Sequence, residues 1–480
     1  MAPLEKIFFA LQWILRMILT FLKSTLGKLI DIDRRTDEPP SPMGLPVVGT
    51  LFSLIAAGGG EYLHLYIDKR HKQLGKIFKE AIGPVDAVFV SDPKLIKTIY
   101  SLEGKHPKHF LPEPWVLYNE KYGSKRGLYF MDDEEWRLHR RILNESLLRS
   151  DPNAGLEDVH DHILSKFIND WQKHINNEFT VDEHCFYKLS ISFFVASMMG
   201  STYLDHEKLF QEDIEELASF IHLIFVESCN LQLLPAKLSA FLNLPAWRRF
   251  VDYVKSALDL GKVLTETMME KCDENSFLAK LMNEDIPKDN VVRVVVDLIL
   301  GGSDTTSNTI HWIAYELGRN VEVQNKLAEN TKNASLVRGI VRETLRLYPA
   351  AIFIARSLSD DAIIGGYRVP AKTWLVMSSY TSGRNQEYFP NPDEFWPERW
   401  LKDETKPSGY TGVLDASAST PYGMGLRSCI GRRMSEALMT LFVKKIVTNF
   451  HLVSTCETDI ILRLVPVPKT PVRLLLTERK

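Results

Sequence analysis

Cysteine is scarce in this chain of 480 residues: the five present (Cys185, Cys229, Cys272, Cys429 and Cys456) are scattered, odd in number and never spaced C-x-x-C. That excludes a disulfide framework and points to a reducing compartment. An excess of charge of either sign is missing too. A net charge of -3 and a pI near 6.5 exclude a globally basic nucleic-acid binder, although local basic patches remain open. No internal repeat and no Pro/Gly/Ser-rich linker occurs from residue 50 to the end, so this stretch reads as one large folded unit. Length alone would allow about three domains of ~150 residues. The 45% hydrophobic and 25% charged content supplies a large core and excludes disordered or collagen-like classes.

A membrane span needs ~20 apolar residues. The run from Ile7 to Leu22 is shorter and contains Arg16. Gln12, Arg16, Thr20 and Lys23 recur at helical spacing, so a helix here carries a polar stripe. Lys6, Arg16, Lys23 and Lys28 meet one acid, Glu5, before Asp31. A basic, amphipathic, acid-poor start predicts a mitochondrial targeting or membrane-associating segment over 1–38, which implies a mitochondrial, inner-membrane-associated protein. The alternative is an interfacial helix on the endoplasmic reticulum membrane.

The proline-rich stretch 39–50 is a stiff connector, since proline fixes the backbone and blocks helix continuation. Beyond it the spacing predicts a helix over Tyr62 to Leu74, a strand over Val85 to Val90 closed by Ser91-Asp92-Pro93, and mostly helix over 132–350. Residues 362–378 predict a hairpin turning at Gly365-Gly366 with a following strand over Thr373 to Met377. A long aperiodic tract runs from Ser378 to Thr420, of a length that in compact domains is usually functional. Helical periodicity returns from Gly431 to about Phe450.

Three strings carry chemistry. In Y-G-M-G-L-R-S-C-I-G, glycines Gly423, Gly425 and Gly431 allow a tight loop around Cys429, and the helix that follows points N–H groups and a positive dipole end at the sulfur. Both favour thiolate over thiol. A lone cysteine is usually a small buried hydrophobe; the resemblance of six positions in ten residues, Tyr422 and Arg427 among them, to a known family's ligand loop reverses that reading. The string E-T-L-R places Glu343 and Arg346 at i,i+3, with Arg399 following in P-E-R-W. As a surface pair it would contribute only ~0.2–0.5 kcal/mol. In L-G-G-S-D-T-T, glycines and β-branched threonines sit inside an apolar helix that begins near Val291, where they are poor helix formers. Asp304 and Thr305 there offer a carboxylate and a hydroxyl suited to proton relay, whereas a capping Asp would end the apolar run that instead continues through Ile310, Trp312 and Ile313.

These strings resemble the cytochrome P450 family, from about residue 43 to the end. The resemblance implies a mainly α fold with small β-sheets, haem lying between a large helical lobe and a smaller β-containing lobe, and a catalytic domain over 39–480. It implies haem b (iron protoporphyrin IX) with the Cys429 thiolate on its iron, and a monooxygenase that takes dioxygen. Tyr422 stands where the family usually has phenylalanine, so its hydroxyl needs a partner. By the same resemblance Gly302 leaves room for dioxygen, Asp304 and Thr305 deliver protons, and Glu343, Arg346 and Arg399 form a buried brace. Arg427, Arg356, and Trp136 with Arg140 in W-R-L-H-R are implied partners of the haem propionates.

Arg338 and Arg342 are like charges at i,i+4, which slightly destabilise a helix and suggest either a partner or a solvated basic face. In mitochondrial-clan members this pattern resembles the docking site of an adrenodoxin-like ferredoxin, and Arg432 and Arg433 extend it. The strings A-A-G-G-G-E-Y-L-H-L-Y-I-D-K-R-H, E-G-K-H-P-K-H-F-L-P-E-P-W and R-G-L-Y-F-M-D-D-E-E-W-R are similar to insect ecdysteroid 2-hydroxylases of the Halloween group. That implies a sterol substrate, with Trp115, Leu300 and Ile354 as apolar pocket candidates. Competing readings are a mitochondrial steroid hydroxylase of other regiospecificity, an endoplasmic reticulum enzyme fed by a flavoprotein reductase, and a non-catalytic haem- or steroid-binding protein. The last has no use for the Asp304-Thr305 pair.

Overall fold

The computed structural model describes residues 37–231 and 236–479; the expected targeting segment, but for its last two residues, lies outside the described residues. The chain forms two compact units, one from the residues up to His109 with Phe353–Thr381, the other from Phe110–Ile352 with Ser382–Lys480. No linker composition marks the crossings, which is why the sequence reads as a single unit.

The first unit is built on a four-stranded sheet ordered Ile77–Ile82, Val85–Val90, Trp374–Ser378, Phe353–Ser357. Its pairings are antiparallel except the parallel one between Val85–Val90 and Trp374–Ser378. Phe78, Ala87 and Phe89 bury their sheet face against Tyr66 and Ile67 of helix α1 (Leu63–Leu74). Ser91-Asp92-Pro93 does more than close a strand. Asp92 accepts hydrogen bonds from the N–H groups of Lys94 and Leu95 and, with Pro93 in the first turn, starts helix α2 (Pro93–Leu102). The hairpin Ala362–Ile364/Tyr367–Val369 turns on Gly365 and Gly366 at φ of 62° and 87°, a two-residue turn that demands left-handed backbone at both positions.

The second unit is helical: α3 (Glu113–Tyr122), α4 (Asp133–Asn144), α5 (Glu157–Gln172), α6 (Glu183–Met199), α7 (Tyr203–Asn230), α8 (Pro245–Lys271), α9 (Lys288–Arg319), α10 (Ala334–Leu347) and α11 (Arg432–Asn449). Helix α9, 32 residues long and buried over most of its length, packs against α6, α8, α10 and α11, and takes polar side chains such as Ser303, Asp304 and Asn308 into the core with it. Small antiparallel sheets complete the unit, one of Glu178–Thr180, Arg473–Glu478 and Phe450–Ser454, another of Ile460–Arg463 and Val465–Pro468. The aperiodic tract is ordered around its own cluster of Tyr388, Phe389, Trp400, Val413 and Ala418. The architecture is mainly α with small separate sheets, in agreement with the sequence. Among the described residues no helix is long and apolar enough to cross a membrane.

Candidate active site

Four strings far apart in sequence build the site in the second unit. Gly423 and Gly425, at φ of 66° and 73°, curl the loop so that the N–H of Cys429 donates to the carbonyl of Tyr422 at 2.8 Å. Gly431 then begins α11. Trp136 and Arg140, one turn apart on α4 and both buried, meet this loop. Arg140 Nη2 lies 3.4 Å from Ser428 Oγ and its Nε donates to Asn144 at 2.8 Å, while the Arg427 guanidinium sits 4.4 Å over the Trp136 ring. Arg427 also donates to the Met131 carbonyl at 2.8 Å and pairs with Asp132 at 2.9 Å.

Cys429 has an exposed surface, yet burial holds its thiol above the ordinary cysteine range. The Gly431 N–H, Arg140 and Arg432 act in the opposite direction, toward thiolate, and do not overcome burial in the protein alone. The loop and helix therefore favour the thiolate, as the sequence predicts, while desolvation works against it.

On α9, Thr305 Oγ1 donates to the carbonyls of Gly301 at 3.1 Å and Gly302 at 3.3 Å. Asp304 is buried; its Oδ1 accepts from Tyr187 at 2.5 Å, its Oδ2 has no partner, and burial pushes its carboxyl up to about 7. Gly302 does not open space. A Cβ there would come within 2.8 Å of the Phe194 ring, so Gly302 is a close-packing glycine between α9 and α6; at Gly301 a Cβ would meet nothing within 4 Å. The room assigned to Gly302 from the sequence belongs to Gly301.

Glu343, Arg346 and Arg399 are fully buried together. Glu343 accepts from Arg346 at 2.7 and 2.9 Å, from Arg399 at 2.8 Å, from the Trp400 indole at 2.9 Å and from the Trp396 N–H at 3.0 Å. This is a core lock rather than an exposed helix pair.

A family model for cytochrome P450 matches residues 39–476. The chain is a cytochrome P450. It is 34% identical over 467 residues to Cytochrome P450 315a1, mitochondrial, of Drosophila melanogaster, which covers 92% of this chain and 88% of that one. It is 26% identical over 447 residues to the mitochondrial cholesterol side-chain cleavage enzyme of Mesocricetus auratus, covering 87% and 84% of the two chains. It is also 26% identical over 445 residues to the mitochondrial 1,25-dihydroxyvitamin D(3) 24-hydroxylase of Mus musculus, covering 88% and 85%.

This P450 is therefore a monooxygenase whose cofactor is haem b with an axial cysteine thiolate. The residues present fit that group: the Cys429 side chain has an exposed surface, and the buried Arg140 and the partly buried Arg427 lie close by.

Other expectations need revision. Arg356, in the first unit, is buried and bonded through Nε to Glu103 at 2.8 Å, so like Arg427 with Asp132 it already has a carboxylate partner. Tyr422 Oη is buried without a hydrogen bond; Ser435 lies near enough to favour its ionisation, but the Ser435 hydroxyl donates to the Arg432 carbonyl. Arg342 is half-buried, 4.1 Å over Trp400, 4.9 Å over Tyr410 and donating to the Tyr410 hydroxyl at 2.9 Å, which makes it a packed residue rather than a docking charge. Arg338 is exposed. Exposed Arg432 pairs with Glu436 at 3.1 Å, and exposed Arg433 donates to the Ser150 carbonyl at 3.1 Å. Trp115 and Leu300 are buried, Trp115 against Phe130 and Phe250. The sequence reading missed Tyr187, Glu103, Asp132 and Trp400. Trp400 adjoins Arg399 and could have been found; the others have no local signal.

Proposed function

We propose that this cytochrome P450 is a mitochondrial steroid hydroxylase that oxidises an ecdysteroid precursor at carbon 2, turning 2-deoxyecdysone into ecdysone with electrons from a ferredoxin. The observation that carries the reading is the meeting of Trp136 and Arg140 with the Cys429 loop, nearly three hundred residues away, in a chain similar to mitochondrial enzymes named for cholesterol and for 1,25-dihydroxyvitamin D(3). Substrate and carbon come from the similarity of its front third to the insect 2-hydroxylase Shadow.

Haem bound through a thiolate activates dioxygen and inserts one oxygen atom into a substrate C–H bond. Cys429 would hold the iron, and Trp136, Arg140 and Arg427 would face the propionates. Asp304, with its carboxyl near neutrality, is suited to give up and regain a proton at working pH. Thr305 Oγ1, already bonded to the Gly301 and Gly302 carbonyls, is the hydroxyl beside the open position at Gly301. Exposed Arg338, Arg432 and Arg433 would steer an acidic ferredoxin. The basic start of the chain supports a mitochondrial address, and its amphipathic stripe a peripheral hold on the inner membrane.

The test is to reconstitute the full chain with ferredoxin and ferredoxin reductase, offer 2-deoxyecdysone, and identify the product. Ecdysone is expected. Hydroxylation at another carbon assigns a different steroid hydroxylase, and turnover only with a flavoprotein reductase overturns the mitochondrial reading.

A further inference from the structure

Asp304 lies in the seam between α9 and α6, and the groups around it are few. From α6, Tyr187 donates its hydroxyl proton to Asp304 Oδ1 at 2.5 Å, and Glu183 adds a more distant negative charge. From α9 itself, Asn308 Nδ2 lies 3.4 Å from the same Oδ1 and donates to the Asp304 carbonyl at 2.9 Å, and the Ser307 hydroxyl donates to that carbonyl at 3.0 Å. From α7, His222 stands edge-on to the Tyr187 ring at 6.0 Å and reaches Glu183 at 3.5 Å. Asp304 Oδ2 is buried and unpartnered. One carboxyl oxygen is therefore held from two sides and the other is left unoccupied.

We propose that Tyr187 is a positioning residue for proton delivery: its hydroxyl pins Oδ1 of Asp304 and so fixes Oδ2 as the oxygen that gives up and regains the proton. The inference rests on the reading of Asp304 as the proton-delivering acid and adds to it a residue on a different helix. Two consequences distinguish it from simple packing. A donor to a carboxylate stabilises the ionised form, so Tyr187 opposes the upward push of burial and of Glu183 on Asp304. Removing the hydroxyl alone, with the ring left in place, must move the protonation of Asp304 to higher pH.

The experiment is an infrared titration of the haem-loaded full chain, with the Asp304 carboxyl band assigned by its loss in Asp304→Asn. In Tyr187→Phe the band should persist about one to two pH units higher than in the parent, the span expected for loss of a hydrogen bond to a charged acceptor. The pH profile of coupling, the share of electrons recovered in hydroxylated product rather than peroxide, should move the same way. Asn308→Ala, which removes the 3.4 Å contact to the same oxygen together with the Asn308 donation to the Tyr187 hydroxyl at 3.3 Å but leaves that hydroxyl in place, should give a smaller shift in the same direction. A band in Tyr187→Phe that titrates at the parental pH overturns the inference, as does a parent protein with no Asp304 band. The titration needs no turnover. Failure to hydroxylate any sterol would sink the proposed function, whereas an unshifted band in an active enzyme sinks the role of Tyr187 alone.

Discussion

Two buried carboxylates, Glu343 and Asp304, have opposite surroundings. Glu343 takes five hydrogen bonds from two arginines, a tryptophan indole and a backbone N–H, so both oxygens are satisfied by groups that want it ionised. Asp304 has one good donor on one oxygen, none on the other and no cation against it. Its seam is under-satisfied elsewhere as well: Ser190 Oγ, on the same face of α6 as Tyr187, and both ring nitrogens of His311 on α9 are buried without partners. Saturation marks a carboxylate that holds the fold together, and deficiency marks one whose proton can move. Acid residues of equal burial can be sorted by counting what points at them.

The largest effect should come from breaking the saturated site. Glu343→Ala leaves two guanidinium groups buried without their carboxylate, a loss of ~3–5 kcal/mol, a large share of a domain's ~5–15 kcal/mol stability. Expression should yield no soluble haem-loaded protein; a normal yield with a normal haem spectrum would refute the lock. Asp304→Asn should do the reverse, keeping the fold while turnover falls ~10²-fold or more. Its stability should also respond differently to pH. The Asp304 carboxyl, raised from an ordinary 3.8 to about 7 in the folded state, keeps its proton after the unfolded chain has lost it. Stability is therefore full below about 3.8, falls as pH rises through the window up to about 7, and is flat above it for this group. In Asp304→Asn that part of the slope should vanish, as chemical denaturation at pH 5, 6 and 7 would reveal. A midpoint series parallel to the parent's would show that Asp304 ionises normally.

Smaller effects probe the edges of the same contrast. Tyr422→Phe removes a buried, unbonded hydroxyl and should stabilise the protein by ~1 kcal/mol with the haem spectrum retained; a loss of stability would reveal a partner for that hydroxyl. Smallest of all, Arg338→Ala should slow association with ferredoxin at low salt and lose its effect as salt is raised, since a rim charge acts by steering. Arg342→Ala should instead lower the melting temperature, because its guanidinium packs over both rings of the edge-to-face pair Trp400 and Tyr410.

Much of this was legible in the sequence where function concentrates signal in short strings. The Cys429 loop, the E-T-L-R helix with P-E-R-W, and the long α9 with its Gly301-Gly302 weakness stand out locally, and α9 and α11 begin within a few residues of where periodicity puts them. What stayed hidden is what depends on two distant elements approaching one another. Gly302 resembles a gap in sequence, but only the Phe194 ring on α6 reveals it as a contact point. Arg342 reads as a charge until its packing over the paired rings of Trp400 and Tyr410 is seen. The Glu103 partner of Arg356 lies 253 residues away, and Tyr187 lies 117 residues from Asp304. Such pairings follow from helix packing, which no spacing rule encodes. The two-unit division is invisible for a related reason, because the chain crosses without a change in composition.

The central claim is that the Cys429 sulfur holds the haem iron. Its most direct test is the carbon monoxide difference spectrum of the reduced protein, recorded for the parent and for Cys429→Ser. The parent should show the absorption band of a thiolate-bound haem, and Cys429→Ser should lose it with the fold retained by circular dichroism. A parent without that band, or a Cys429→Ser protein that keeps it, would contradict the account.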